Sequence, residues 1–174
     1  MGVTFTNGLS VTLHIQQLIA SNTQTLYALK LLRAHGLSDT AMQAVFRSVV
    51  LAKFLYASRA WCGFAGVQDR QKVEGFLRRS TRARLCSRNE PNFSDICLEA
   101  DQNLFRQVLR NPQHVLHQLL PPVSATFHSY SLRTRTHNRQ LPDRLSHLAD
   151  CNFITRMLFY QSYWHLSAFI QFYC

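Results

Sequence analysis

Apolar residues recur at helical spacing along most of the first 120 residues, in segments separated by residues that end or begin helices. The first segment carries leucines up to Leu32 and ends before Gly36, a residue typical of the position just after a helix. The next begins after Ser38, which can cap a helix, and its apolar residues fall on more than one stripe. Only residues 2–6 alternate apolar and polar side chains as a strand does. We therefore predict a mostly α-helical bundle with one short N-terminal strand.

Three more helices follow in the sequence. Residues 68–84 form the third, and we expect Ser94 to cap the fourth, with Phe93 and Leu98 at the spacing of a hydrophobic staple. Asn111-Pro112 has the order of cap and first residue that starts a helix, so a short fifth helix is predicted to run up to Pro121.

The pattern changes after that point. Residues 123–144 are polar, basic and long for an ordinary connection, so they form either an ordered binding loop or a disordered linker. Residues 152–173 are apolar and aromatic, but Arg156 and His165 interrupt them, which favours a docked C-terminal helix over a membrane span. The predicted division is residues 1–11, a helical domain 12–120, a basic loop 121–151 and a C-terminal aromatic helix or tail 152–174.

Charge indicates the class of partner. The chain carries 19 Lys+Arg against 9 Asp+Glu, a formal net charge of +10, and 16 of the 19 are arginines. Arginine forms paired hydrogen bonds to phosphate, so nucleic acid is the first candidate and an anionic membrane surface the second, with a basic surface that binds nothing specific as the alternative. Five cysteines without a Cys-x-x-Cys pair, and no signal peptide, favour an intracellular location, cytoplasmic or nuclear.

Two groups of basic residues are the candidate nucleic-acid contacts. The third helix carries Arg70, Lys72, Arg78, Arg79, Arg82 and Arg84. The basic loop carries Arg133, Arg135 and Arg139, interleaved with His128, Tyr130 and His137. Such faces suit phosphate contact and base stacking, although a solvated helix face and a disordered linker remain the respective alternatives. Trp61, beside a glycine-containing break, either stacks on a base or closes the core, and we favour the core.

The residues needed for catalysis or metal binding are not found in the sequence. No two acidic residues are adjacent, and Glu99 and Asp101 point in different directions if they lie on a helix. Cysteine and histidine spacings fit no zinc finger; the nearest set is Cys86, Cys97, His114 and His117. We therefore predict no catalytic residue, no metal site and no cofactor in this chain.

Three segments, in order, carry a family resemblance. They are Gly2-Val3-Thr4-Phe5 with His14-Ile15, then Tyr56-Ala57-Ser58-Arg59-Ala60-Trp61, then residues 130–142 with 150–159. Together they resemble the region after the palm of the reverse transcriptase of non-LTR (LINE, jockey-like) retrotransposons, over residues 1 to about 163. Arg59 stands where that family usually has proline, which leads us to expect that the helix here runs on past residue 59.

The resemblance implies a thumb-like, post-polymerase helical region in which residues 1–11 are a remnant of the strand that follows the palm. In the parent RNA-directed DNA polymerase it would bind RNA and DNA as template–primer, next to an upstream palm that holds Mg²⁺ between paired aspartates. This chain lacks those aspartates, so alone it is expected to be inactive. The alternatives are a free-standing basic helical module that binds nucleic acid and a non-functional relic of a decayed element.

Overall fold

The computed structural model describes residues 2–87, 91–124, 136–144 and 146–160, and the described part is mostly α-helical, as predicted. Eight α-helices are assigned there: α1 (Thr12–Ala34), α2 (Asp39–Val45), α3 (Ala52–Leu55), α4 (Ser58–Trp61), α5 (Val67–Arg82), α6 (Phe93–Arg110), α7 (His147–Asp150) and α8 (Phe153–Phe159). The chain divides into two units, Met1–Cys97 and Leu98–Cys174.

The junction between the first two helices follows the prediction from local sequence. Gly36 has a φ of +93°, and its N–H donates to the Arg33 carbonyl at 3.0 Å while the Leu37 N–H donates to the Leu32 carbonyl at 3.0 Å. This is the Schellman arrangement, which only glycine adopts without strain. The Ser38 hydroxyl then accepts from the Ala41 N–H, so Ser38 is the N-cap of α2 as expected.

The second predicted helix is divided into three parts. A π-helical segment, Phe46–Leu51, connects α2 to α3, and the backbone stays right-handed helical at both junctions. The helix then ends at Tyr56, and Ala57 has a left-handed φ of 49°. The expectation that Arg59 lets the helix run on is therefore wrong, because the break lies two residues earlier and Arg59 belongs to the separate short helix α4.

Aromatic rings form the centre of the first unit. Phe54 and Trp61 are fully buried, as is the Phe76 ring 5.5 Å from Phe54. The Trp61 ring stacks on Phe93 with 6.0 Å between centroids and 20° between planes, and its indole N–H donates to the Tyr56 carbonyl at 3.1 Å. Trp61 thus closes the core, as the sequence favoured, and does not present its face to a ligand.

The prediction of an N-terminal strand is wrong. Residues 2–6 form no strand, and within the described ranges the backbone has no β-ladder, only an isolated bridge between Val123 and Arg139. A strand requires a neighbour that accepts and donates its backbone hydrogen bonds, and none of the described segments supplies one. Phe5 instead packs edge-on against Phe64, with 5.7 Å between ring centroids.

The prediction that Ser94 caps the fourth long helix, α6, is also wrong. The helix begins at Phe93, so Ser94 lies inside it, and the Asn92 side chain accepts from the Asp95 N–H at 2.8 Å in the capping position. A second acceptor comes from α5, where the Glu74 carboxylate accepts from the Phe93 N–H at 2.8 Å. The predicted staple requires a residue that precedes the N-cap, and with Asn92 as the cap Phe93 is instead the first helical residue, where its ring stacks on Trp61.

In the second unit, the predicted helix after Asn111-Pro112 is not formed. The Asn111 side chain accepts from the Gln113 N–H at 3.0 Å and the His114 ring accepts from the Leu116 N–H at 3.1 Å. These bonds hold turns that compete with helix formation, and only a 3₁₀ turn, His117–Leu119, follows.

The C-terminal helix forms in part. Asn152 caps α8 by accepting from the Thr155 N–H at 3.2 Å, and Met157 and Leu158 are buried with Phe105. The rest of the predicted aromatic helix, residues 161–174, lies outside the described residues. Across the described ranges, no helix combines the length and the apolar content that crossing a bilayer requires.

Candidate nucleic-acid interface

Helix α5 separates a buried face from a basic one. Asp69, Val73, Phe76 and Ser80 are buried, at the spacing of one helix face. Arg78, Arg79 and Arg82 are exposed and extend from the other side of the same helix. The position of these arginines is therefore fixed by the burial of Val73 and Phe76.

Both ends of α5 are held by contacts with α1. At the start, the Thr12 hydroxyl donates to the buried Asp69 carboxylate at 2.6 Å. At the end, the Leu85 N–H donates to the Ser80 carbonyl at 3.0 Å, with Arg84 in the left-handed conformation at φ 55°. The Arg33 guanidinium from α1 donates to the Ala83 carbonyl at 2.7 Å. The basic end of the helix is thus anchored at a backbone carbonyl.

Of the seven predicted contact residues that the structure describes, four are available to a ligand. Arg78, Arg79, Arg82 and Arg84 are exposed, and none of their guanidinium groups forms a hydrogen bond or ion pair with another described residue. They lie within seven positions of each other at the C-terminal end of α5. The helix dipole gives this end a partial negative charge, so part of the local positive charge is offset.

Arg70 and Lys72, predicted in the same group, are engaged. The Arg70 guanidinium is half-buried and donates to the Ala65 and Cys62 carbonyls at 3.1 and 3.3 Å, so it holds the turn before α5. The Lys72 ammonium pairs with Asp69 at 3.2 Å. These two residues therefore add little net charge to the exposed face.

Arg139 of the second predicted group also has a structural role. Its guanidinium donates to the Pro121 carbonyl at 3.2 Å and lies 3.2 Å from His117 Nε2. His137 beside it is buried, with Nε2 donating to the Leu158 carbonyl at 2.8 Å and Nδ1 accepting from the Arg139 N–H. Arg133 and Arg135 lie outside the described residues, as do His128 and Tyr130.

The acidic residue considered for catalysis is used structurally. Asp101 is buried on α6 and pairs with the Arg156 guanidinium of α8 at 2.9 Å. Within the described ranges, no cluster of three or more His, Cys, Asp or Glu side chains is arranged to hold a metal ion.

A groove beside the four arginines was not predicted. Its volume is about 580 Å³, and its lining includes Phe46, Leu77, Arg78, Arg82 and Ile96. Residues from four separate parts of the first unit form it, and no local sequence signal joins them. In the sequence, only the i, i+4 spacing of Arg78 and Arg82 indicates that two residues of this groove share a helix face.

Comparisons of this chain with protein-family models, with curated proteins and with solved structures found no match.

Proposed function

We propose that this chain is the thumb-like region of a non-LTR retrotransposon reverse transcriptase, and that it holds template–primer by contacting phosphates with the end of α5. The three sequence segments that resemble this family support the identity. The observation that carries the binding role is the cluster of exposed arginines, Arg78, Arg79, Arg82 and Arg84, which have no partner among the described residues.

Physical chemistry favours phosphate as the ligand of this cluster. A guanidinium group donates two parallel hydrogen bonds to phosphate oxygens, and each contact releases condensed counterions from the nucleic acid. Such contacts carry no sequence information, which is what a polymerase requires of the region that holds a moving duplex. The chemistry itself belongs to an upstream palm with paired aspartates and Mg²⁺.

The competing explanation is that Arg79 and Arg82 only complement the negative end of the helix dipole, since both lie in the last turn of α5. That role would be worth about 0.3–1 kcal/mol of stability for each residue. It predicts a loss of stability upon neutralisation, with no change in nucleic-acid binding.

The salt dependence of binding separates the two roles. We expect the full chain to bind duplex DNA and an RNA–DNA hybrid, with log K falling linearly with log salt. Replacing Arg78, Arg79, Arg82 and Arg84 by alanine should reduce the magnitude of the slope by about 0.9 for each phosphate that the variant no longer neutralises.

A matched control is available on α6. Arg106 and Arg110 are exposed and four residues apart, as are Arg78 and Arg82. The double variant Arg106→Ala/Arg110→Ala should keep the wild-type slope, whereas Arg78→Ala/Arg82→Ala should reduce its magnitude by nearly two units if both contact phosphate. Equal slopes in the two double variants would refute the assignment of the interface to α5.

A further inference from the structure

The groove beside α5 combines an apolar interior with a basic rim. Phe46 and Leu51 form its buried floor, and Leu77 and Ile96 are half-buried in its walls. Its volume of about 580 Å³ lies within the roughly 300–1,000 Å³ typical of small-ligand sites. The space is therefore sufficient for a planar ring system of the size of a nucleobase with its sugar.

The charge on the groove is positive. Arg78 and Arg82 are adjacent along one side of α5, and both are exposed. Among the described residues of the lining, Glu74 is the one acidic side chain, and its carboxylate accepts the Phe93 N–H at 2.8 Å, so its charge is directed at the positive end of α6. Asn92 is engaged in the same cap, since its side chain accepts from the Asp95 N–H and donates to the Asp95 carboxylate. The arginines therefore set the electrostatic preference of the groove for an anion.

We infer that this groove takes one unstacked base of a single-stranded nucleic acid, with the phosphate next to that base bound by Arg78 and Arg82. An apolar slot with two cations on its rim matches the chemistry of a nucleotide, which joins a flat ring with weakly hydrated faces to a phosphate. This inference rests on the proposed function and adds a base-dependent component to the phosphate contacts. The polymerase context supplies such a strand as the unpaired template beyond the primer.

The test compares two single strands of equal length and charge, an oligothymidylate and an oligonucleotide in which abasic spacers replace the bases. The wild-type chain should bind the oligothymidylate about tenfold more tightly at the same salt concentration, the scale expected when about 55 Å² of apolar base surface is buried in the groove. The salt slopes for the two strands should be equal, because their phosphates are the same.

Two neutral substitutions target the groove. Leu77→Gln and Ile96→Gln each replace an apolar side chain in the groove wall by a polar one without adding charge. In either variant the tenfold difference should fall below about threefold, while abasic-strand binding and its slope are retained. Leu31→Gln on α1, an exposed leucine outside the groove, is the control and should keep the difference. Circular dichroism identifies any variant that fails to fold, and the other variant then decides.

The outcomes distinguish this inference from the function on which it rests. If the wild-type chain binds both strands equally, or if a folded groove variant keeps the full difference, the inference is refuted and the phosphate-binding role stands. A protein side chain would then be the better occupant of the groove. If the wild-type chain binds neither strand, the inference is refuted, and its binding to duplex DNA and to the RNA–DNA hybrid decides whether the phosphate-binding role stands.

Discussion

Glu74 connects α5 to the start of α6, and its removal should destabilise the first unit by a definable amount. Its carboxylate accepts from the Phe93 N–H at 2.8 Å. Phe93 is 2% exposed, so water cannot readily replace that acceptor. The variant Glu74→Ala leaves this buried donor without a partner, whereas Glu74→Gln keeps an oxygen that can accept and removes only the charge.

The two variants should therefore differ in stability. A buried donor left without a partner costs about 1–3 kcal/mol, and loss of an N-terminal cap costs about 0.5–2 kcal/mol, for what is here the same bond. We expect about 2 kcal/mol for Glu74→Ala. Loss of the charge at the helix N-terminus accounts for about 0.3–1 kcal/mol, which is the expectation for Glu74→Gln. In a chain of this size the alanine variant should lower Tm by about 4–8 °C.

Urea unfolding followed by tryptophan fluorescence measures these differences. The chain has two tryptophans, and a Trp164→Phe background leaves Trp61, stacked on Phe93, as the reporter. Glu99→Ala, an exposed glutamate on α6, is the control and should change stability by less than about 0.5 kcal/mol. The reasoning is refuted if the alanine and glutamine variants lose the same stability, or if Glu74→Ala behaves like Glu99→Ala.

Catalysis, backbone strain and a buried histidine give three further predictions. The purified chain should show no template-dependent incorporation in primer extension with Mg²⁺ or Mn²⁺, and incorporation would refute the prediction that this chain has no catalytic residues. Arg84→Gly should raise the unfolding free energy by about 1 kcal/mol in thermal denaturation, because Arg84 has φ 55°, and Arg84→Ala should bring no such gain. Burial lowers the pKa of His14. Below about pH 6.5 this histidine therefore binds a proton more readily in the unfolded chain than in the folded one, and the unfolding free energy should fall as the pH drops. His14→Gln should flatten this pH dependence, and the exposed His35→Gln should not.

Local chemistry made part of the fold predictable. Gly36 and Ser38 act on backbone groups within a few residues, so their roles could be inferred from the sequence. The start of α6 could not, because one of its two acceptors comes from Glu74, nineteen positions before Phe93. The failed helix after Asn111 shows the same limit at short range, since Asn111 is equally able to cap a helix or to hold a turn.

The candidate site was predictable in composition and less so in geometry. Helical periodicity places Arg78 and Arg82 away from the buried Val73 and Phe76, and the structure has them exposed. Arg70 and Arg139 have the same charge, but each donates to backbone carbonyls of a neighbouring turn. A sequence contains no sign of which carbonyls lack a partner, so this structural use of arginine becomes visible only in the folded chain.

The π-helical segment affects how this protein can tolerate changes in length. Met42, Phe46, Val50 and Phe54 are fully buried at intervals of four residues. In a regular α-helix each interval of four rotates by about 40° beyond a full turn, so Phe54 would lie about 120° away from Met42. The wider turns of Phe46–Leu51 remove much of that rotation and keep all four side chains in the core. Loss of one residue within this segment could be absorbed by its return to α geometry, whereas the same loss in α5 would turn Arg78 and Arg82 away from the groove.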